Sequence, residues 1–377
     1  MSEATAQGST TINVQSLDEN MKLEETGPLG LVWHSPVEAP FRLSGFAWYD
    51  QERLFRRMPL NESGKLSQAV DYLANCTAGG QISFRTNSPR LAVSVELAAA
   101  ADMYHMPATG QCGFDAYIGT PGEQRYIATS RYDHREQSYE CILFELPEST
   151  MREVTLNFPL YQGVKSVSIG LESDCEVLPP TPYASNKKVV LYGTSILQGG
   201  CANRPGMAYP NIISRRIPLQ FINLGFSGNG RGEPEVAQII SDIQDPALLV
   251  LDYEANAVSH ELYSQTLPEF IRIYREAHPE VPILVVSKFR YALENFNPEA
   301  LQRRLGMKQI AIDVVEQYKQ QGDRNIHFFD GSDMFGGDDA HECTVDGAHP
   351  TDLGFLRMAD ALAPAFQQLL SRELEQA

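Results

Sequence analysis

Near residue 180 the arrangement of hydrophobic and polar positions along this chain changes character. From about Leu29 to Leu178, short segments such as "QISFRTNSPRLAVSVEL", "FDAYIG", "QRYIATS", "YECILFEL", "EVTLNFPL" and "SVSIGLES" alternate aromatic or β-branched residues with polar ones, between clusters of Gly, Pro, Asn and Asp. A period of two sends successive side chains to opposite faces, so each segment predicts a strand with one buried face. Together they predict an antiparallel β-sandwich. The proline-bearing stretch "LPPTPYASNK" then reads as a connector. Beyond it come continuous apolar runs at Val189 to Tyr192, Gln220 to Leu224, Leu248 to Asp252, Ile283 to Ser287 and Ile326 to Phe329. Such runs suit parallel strands buried on both faces. Helical stretches, Glu261 to Ala277 and Glu299 to Gln320 among them, lie between the runs. The last, Thr351 to Leu370, sets Phe355, Met358, Leu362, Phe366 and Leu369 on one stripe, with Thr351 as N-cap and Pro364 as a kink site. Alternating strands and helices predict an α/β domain whose five-stranded parallel sheet is covered on both sides by right-handed crossovers.

The length of 377 residues exceeds what one core usually holds, which agrees with two domains. The expected layout is a polar arm over 1–28, a β-sandwich over 29–178, a linker over 179–187 and the α/β domain over 188–377. No apolar run reaches 18 residues, and the first thirty residues lack a basic-then-apolar leader, so the expectation is a cytoplasmic protein without a membrane partner. The formal charge of -18 disfavours nucleic acid and anionic membrane surfaces, which need clustered Lys and Arg. Six cysteines stand singly with no CxxC pair, the usage expected of reduced thiols.

In open α/β sheets, ligands bind beyond the carboxyl ends of the strands. Here those ends carry Gly193-Thr194-Ser195, then "GFSGNG" over 225–230, then "YEAN" over 253–256, and, after the fifth strand and a glycine-rich acidic loop, Asp346-Gly347-Ala348-His349. A serine hydroxyl needs a base to accept its proton and a carboxylate to orient that base. His349 and Asp346, three apart on one tight turn, suit those two roles. The backbone N–H groups of Ser195 and Gly228 and the Asn256 amide suit an oxyanion hole, Gly228 by letting the backbone approach closely. Taken singly, each feature has a plainer reading as a turn or a cap; their order and placement carry the argument. His341, Cys343 and His349 with Asp338 and Asp339 fit no compact zinc spacing, so no metal and no other cofactor is expected.

At these residues the C-terminal half resembles the SGNH hydrolases, the GDSL-like esterase and lipase superfamily, whose four blocks carry Ser, Gly, Asn and a DxxH. The matching stretches are "GTSI", "NLGFSGNG", "LDYEANA" and "VDGAHPTDLGF". Upstream, "GQCGFDAYIG" resembles the GxDLY-type β-domain that precedes a bacterial subgroup of these proteins, with Gly113, Asp115 and Tyr117 at the matching positions. Thr194 stands where the family commonly has aspartate, and Asn256 sits in EANA rather than GxND. The resemblance implies a three-layer, flavodoxin-like domain after a jelly-roll-like one. It also implies hydrolysis of a small carboxylic ester through an acyl-enzyme on Ser195, without cofactor. Relatives with an accessory β-domain often deacetylate carbohydrates, which makes a sugar O-acetyl ester, small or oligosaccharide, the first substrate expectation. A lipase, thioesterase or aryl esterase, or a carbohydrate-binding protein without chemistry, are the alternatives. Arg204, Asp115 and Tyr117 are candidate substrate contacts, Arg204 equally an ion-pair partner. Trp33, Trp48, Tyr104 and His105 suit either a sugar-stacking surface or buried packing.

Overall fold

The alternating segments of the first half close into two antiparallel sheets. One has the order β1 (Val32–His34), β9 (Val164–Leu171), β4 (Arg90–Leu97), β7 (Ser138–Glu145). The other runs β10 (Val177–Leu178), β3 (Gln81–Thr86), β8 (Arg152–Asn157), β5 (Asp115–Ile118), β6 (Arg125–Thr129), with β2 (Arg42–Ser44) beside β3. Leu91, Val93, Val95 and Leu97, alternate residues of β4, share one core with Ile82 and Phe84 of β3. The period-two pattern is therefore the inner face of a sandwich. This computed structural model describes Asp18 and residues 30–61, 64–337 and 339–375; the expected N-terminal arm, Asp18 apart, and Asp338 lie outside the described residues.

The apolar runs of the second half form a parallel sheet, β11 (Lys188–Gly193), β12 (Gln220–Gly225), β13 (Pro246–Asp252), β14 (Ile283–Val286) and β15 (Ile326–Phe329), in the order β12-β11-β13-β14-β15. Both faces are covered. Val190 and Tyr192 enter the core under helices Pro234–Ser241, His260–Ala277 and Pro298–Gln320. Val189 and Leu191 enter the opposite core with helices Tyr209–Ser214 and Asp352–Leu369. The final helix starts where expected, with the Thr351 hydroxyl accepting from Gly354 N at 3.3 Å. Among the described residues no helix is long and apolar enough to cross a membrane.

Register positions the site. Gly193 pairs with Gly225 on one side and with Asp252 on the other, so three strands end level and their following loops stand side by side. The order is that of flavodoxin-like sheets, whose ligands bind at the switch between the first and third strands. The halves also share packing. Met58, Leu66, Val70 and Ala74, which precede β3, insert into the α/β core rather than the sandwich core. The connector is held down as well: Glu153 accepts from Thr181 N and Oγ1, and Ala184 N donates to Pro218 O at 2.8 Å.

Candidate active site

The chain leaves β11 through Thr194 and enters a single helical turn, Ser195–Gln198, at once. Thr194 is the N-cap, its hydroxyl accepting from Ile196 N at 3.2 Å. The threonine thus braces the turn in the place where aspartate is common. As first residue of the turn, Ser195 has an N–H without an intrahelical acceptor. Ser195 is 7% exposed, and its Oγ lies 2.9 Å from His349 Nε2. His349 Nδ1 lies 2.8 Å from Asp346 Oδ2. Since a carboxylate only accepts, Nδ1 carries the proton and Nε2 accepts from the serine. Asp346 Oδ1 also accepts from His349 N at 2.7 Å and Ala348 N at 3.0 Å. Burial raises this carboxyl, but the backbone donors and the imidazole outweigh it and hold the group below the usual carboxylate value.

The second loop supplies Gly228. Its φ is +68°, a left-handed conformation that glycine adopts without strain, whereas a Cβ there would meet nothing within 4 Å. The glycine serves conformation rather than the close approach expected of it. Among the described residues its N–H has no acceptor. Asn256 ends a 3₁₀ turn, Glu254–Asn256, directly after β13, and its Nδ2 donates to Phe226 O at 3.2 Å. That bond fixes the amide beside the second loop and leaves one N–H to donate elsewhere. The structure thus brings Ser195, Gly228, Asn256, Asp346 and His349 together at one edge.

Several supporting residues carry no motif and escape sequence reading. Gln198 Oε1 accepts from Ser227 N at 3.0 Å while its Nε2 donates to Leu160 O at 3.2 Å, which joins the Ser195 turn, the second loop and the sandwich. Tyr161, also from the sandwich side, donates to Ser195 O at 3.2 Å. Arg57 is fully buried and donates to Leu73 O, Cys76 O, Asn223 O and Gly225 O, with its guanidinium 4.9 Å from the Phe226 ring centre. Burial lowers it to about 10, so it stays cationic at neutral pH. Asp252 and Glu254, at the end of β13, are buried carboxyls pushed up by desolvation to about 7 and about 8. Asp252 accepts from Tyr209 Oη at 2.7 Å, and Glu254 accepts from Lys288 N at 3.2 Å.

Asp115, Tyr117 and Arg204, expected to touch substrate, form a clamp between the halves. Asp115 is 0% exposed. Its Oδ2 accepts from Arg204 Nη1 at 3.0 Å and Gly206 N at 2.7 Å, and its Oδ1 accepts from Asn157 Nδ2 at 2.7 Å. Tyr117 Oη bonds Arg204, and a Cβ on Gly206 would overlap that hydroxyl. Gly113, at the first motif position, packs against Thr109 and Ser130. Asp115 Oδ2 and Tyr117 Oη of the motif are thus engaged by the α/β domain, while Asp115 Oδ1 stays within the sandwich. Trp48 packs on the α/β core and Trp33 against Gly170, and both are half-buried. Tyr104 is 95% exposed and stacks on His105, whose ring centre lies 5.8 Å from that of His349. Within the cluster weighed for zinc, Arg357 donates to Cys343 Sγ at 3.4 Å and His341 pairs with Glu342.

Comparison with known proteins follows the same division. The model of the GDSL-like lipase/acylhydrolase family matches residues 186–367, and that of the GxDLY N-terminus of SGNH-type esterases matches 31–177. A protein described as a GDSL-like lipase from Bacteroides ovatus ATCC 8483 is 32% identical, with 90% of this chain and 98% of that one covered, at a TM-score of 0.82. A salicylyl-acyltransferase from a tetracycline biosynthetic pathway is 20% identical over 91% and 98%, TM-score 0.73. An acetyl xylan esterase from the rumen bacterium Butyrivibrio proteoclasticus is 13% identical over 90% and 100%, TM-score 0.58. The latter two are likenesses of fold. No curated protein sequence matches the chain.

Proposed function

Because the chain belongs to the GDSL-like lipase/acylhydrolase family, as an SGNH-type esterase or acyltransferase with a GxDLY N-terminal domain, we propose that it hydrolyses small carboxylic esters through an acyl-enzyme on Ser195. The observation that carries this reading is the unbroken relay from Ser195 Oγ to His349 Nε2 and from His349 Nδ1 to Asp346. His349 removes the hydroxyl proton as Ser195 attacks the ester carbon. The carbonyl electrons move onto oxygen, which receives hydrogen bonds from Ser195 N, Gly228 N and Asn256 Nδ2. The intermediate collapses with cleavage of the bond to the alcohol, which takes its proton from His349. Water, deprotonated by His349, then attacks the acyl-enzyme and regenerates Ser195. A relay already assembled also counts against a purely carbohydrate-binding role.

The acceptor in this reading is water. The side chains of His349 and Asp346 are 27% and 34% exposed, so water reaches the face where the acyl-enzyme stands. For the alcohol, the reading is a carbohydrate bearing O-acetyl groups. Its support is Tyr104, a flat aromatic held at the site by its stack on His105 and open to solvent, as a platform for the apolar face of a sugar ring. The fold shared with an acetyl xylan esterase agrees with this reading.

The test is Ser195→Ala, with turnover of an aryl acetate and of acetylated xylo-oligosaccharides measured beside wild type. Turnover should fall by at least ~10⁴-fold with the circular dichroism spectrum unchanged, and a fluorophosphonate should label wild type alone. Retained turnover in a folded variant overturns the mechanism. A preference for long-chain acyl esters over acetylated sugars overturns the substrate reading and leaves the mechanism standing.

A further inference from the structure

One cluster beside the triad shares only His349 with the ester chemistry. His105, Cys201 and His349 each offer a ligand atom, and these atoms all lie within 4.8 Å of one another. They come from separate places: the sandwich loop after β4, the loop after the nucleophile turn, and the loop before the final helix. Three further features suit a metal. His105 Nδ1 is buried and has no hydrogen-bond partner among the described residues. Cys201 is 3% exposed and holds a φ of +77°, a left-handed conformation costly for a non-glycine residue. His349 already gives its Nδ1 proton to Asp346, the carboxylate-to-histidine arrangement that orients imidazole ligands in metal sites.

We propose that His105, Cys201 and His349 form a binding site for a borderline-soft divalent cation such as Zn²⁺, and that its occupancy switches Ser195 off. Two imidazole nitrogens and one sulfur are a donor set zinc takes readily, at about 2.0–2.1 Å to nitrogen and about 2.3 Å to sulfur. A tetrahedron of those lengths sets the donors roughly 3.3–3.6 Å apart, within about 1.5 Å of the present spacing and in reach of side-chain rotation. The fourth position is left to water or the Ser195 hydroxyl. Cys201 binds as thiolate and releases one proton to solvent. The free nitrogen of His349, Nε2, is the one Ser195 needs, so metal and serine compete for a single lone pair. The inhibition rests on the hydrolase reading; the metal binding does not.

The experiment uses the full chain, stripped with a chelator and dialysed, with CoCl₂ and ZnCl₂ as probes. Cobalt should give tetrahedral visible bands and a near-ultraviolet thiolate charge-transfer band in wild type and in Ser195→Ala alike, whether or not the protein is an esterase. Cys201→Ala should abolish the charge-transfer band. Zinc should inhibit aryl acetate turnover in wild type, reversibly on adding chelator. Half-inhibition of Cys201→Ala, measured against its own metal-free rate, should need at least ~10-fold more zinc. His105→Ala should shift half-inhibition in the same direction, and carries the test should Cys201→Ala fail to fold. Absence of the charge-transfer band in wild type overturns the site. An unchanged zinc concentration for half-inhibition in both variants overturns the link to the triad.

Discussion

Asn256 shows how much one side chain is asked to do. Its amide is fixed by Phe226 O and has one further N–H to give, and in the proposed mechanism that donor strengthens only when negative charge gathers on the substrate oxygen. Asn256→Ala should therefore lower kcat by about 10²–10³-fold with little change in KM, measured by steady-state kinetics on an aryl acetate. A loss confined to KM assigns the amide to ground-state binding instead. The residues proposed for covalent chemistry were legible in sequence because Ser195, Gly228 and Asn256 sit in short motifs after strands and Asp346 and His349 in one before the last helix. Gln198, Tyr161 and Arg57 were not, because their roles are hydrogen bonds to backbone atoms distant in sequence, and a backbone acceptor leaves no trace in residue type.

At the scale of elements, the end of β13 concentrates two buried carboxyls in one turn. Asp252 and Glu254 are raised by desolvation to about 7 and about 8, so each binds its proton more tightly folded than unfolded. Their contribution to stability is full below about pH 4, falls as pH rises by up to ~1.4 kcal/mol per pH unit for each, and is gone about one pH unit above the folded values. The melting temperature should fall between about pH 5 and 8, and Asp252→Asn with Glu254→Gln should flatten that slope; an unchanged slope removes these groups as its source. Strands and helices of the second half were readable because burial on both faces makes continuous apolar runs, as in β13, and because Thr351 marks the last helix. The level ends of β11, β12 and β13 were not readable, since register depends on pairing between strands.

For the whole molecule, the clamp of Asp115, Tyr117, Arg204 and Gly206 ties the sandwich to the loop that follows the nucleophile turn. Asp115→Ala removes a fully buried carboxylate and leaves the arginine without its partner, a loss of about 3–5 kcal/mol. Its unfolding midpoint should drop sharply, and turnover near the melting point should fall with it; a midpoint within 1 °C of wild type, to within about 0.3 kcal/mol, rejects the clamp as a structural element. Sequence by itself determined the two fold classes, the parallel sheet and the ordered Ser, Gly, Asn and Asp–His set, because periodicity and strand-end motifs are local properties. Only the tertiary structure decided that residues 58–74 complete the α/β core, that the GxDLY-type residues join the domains, and that Tyr104 and His105 stand beside His349. Each of those facts is a contact between segments far apart in the chain, set by which surfaces exclude water together, and no local pattern encodes it.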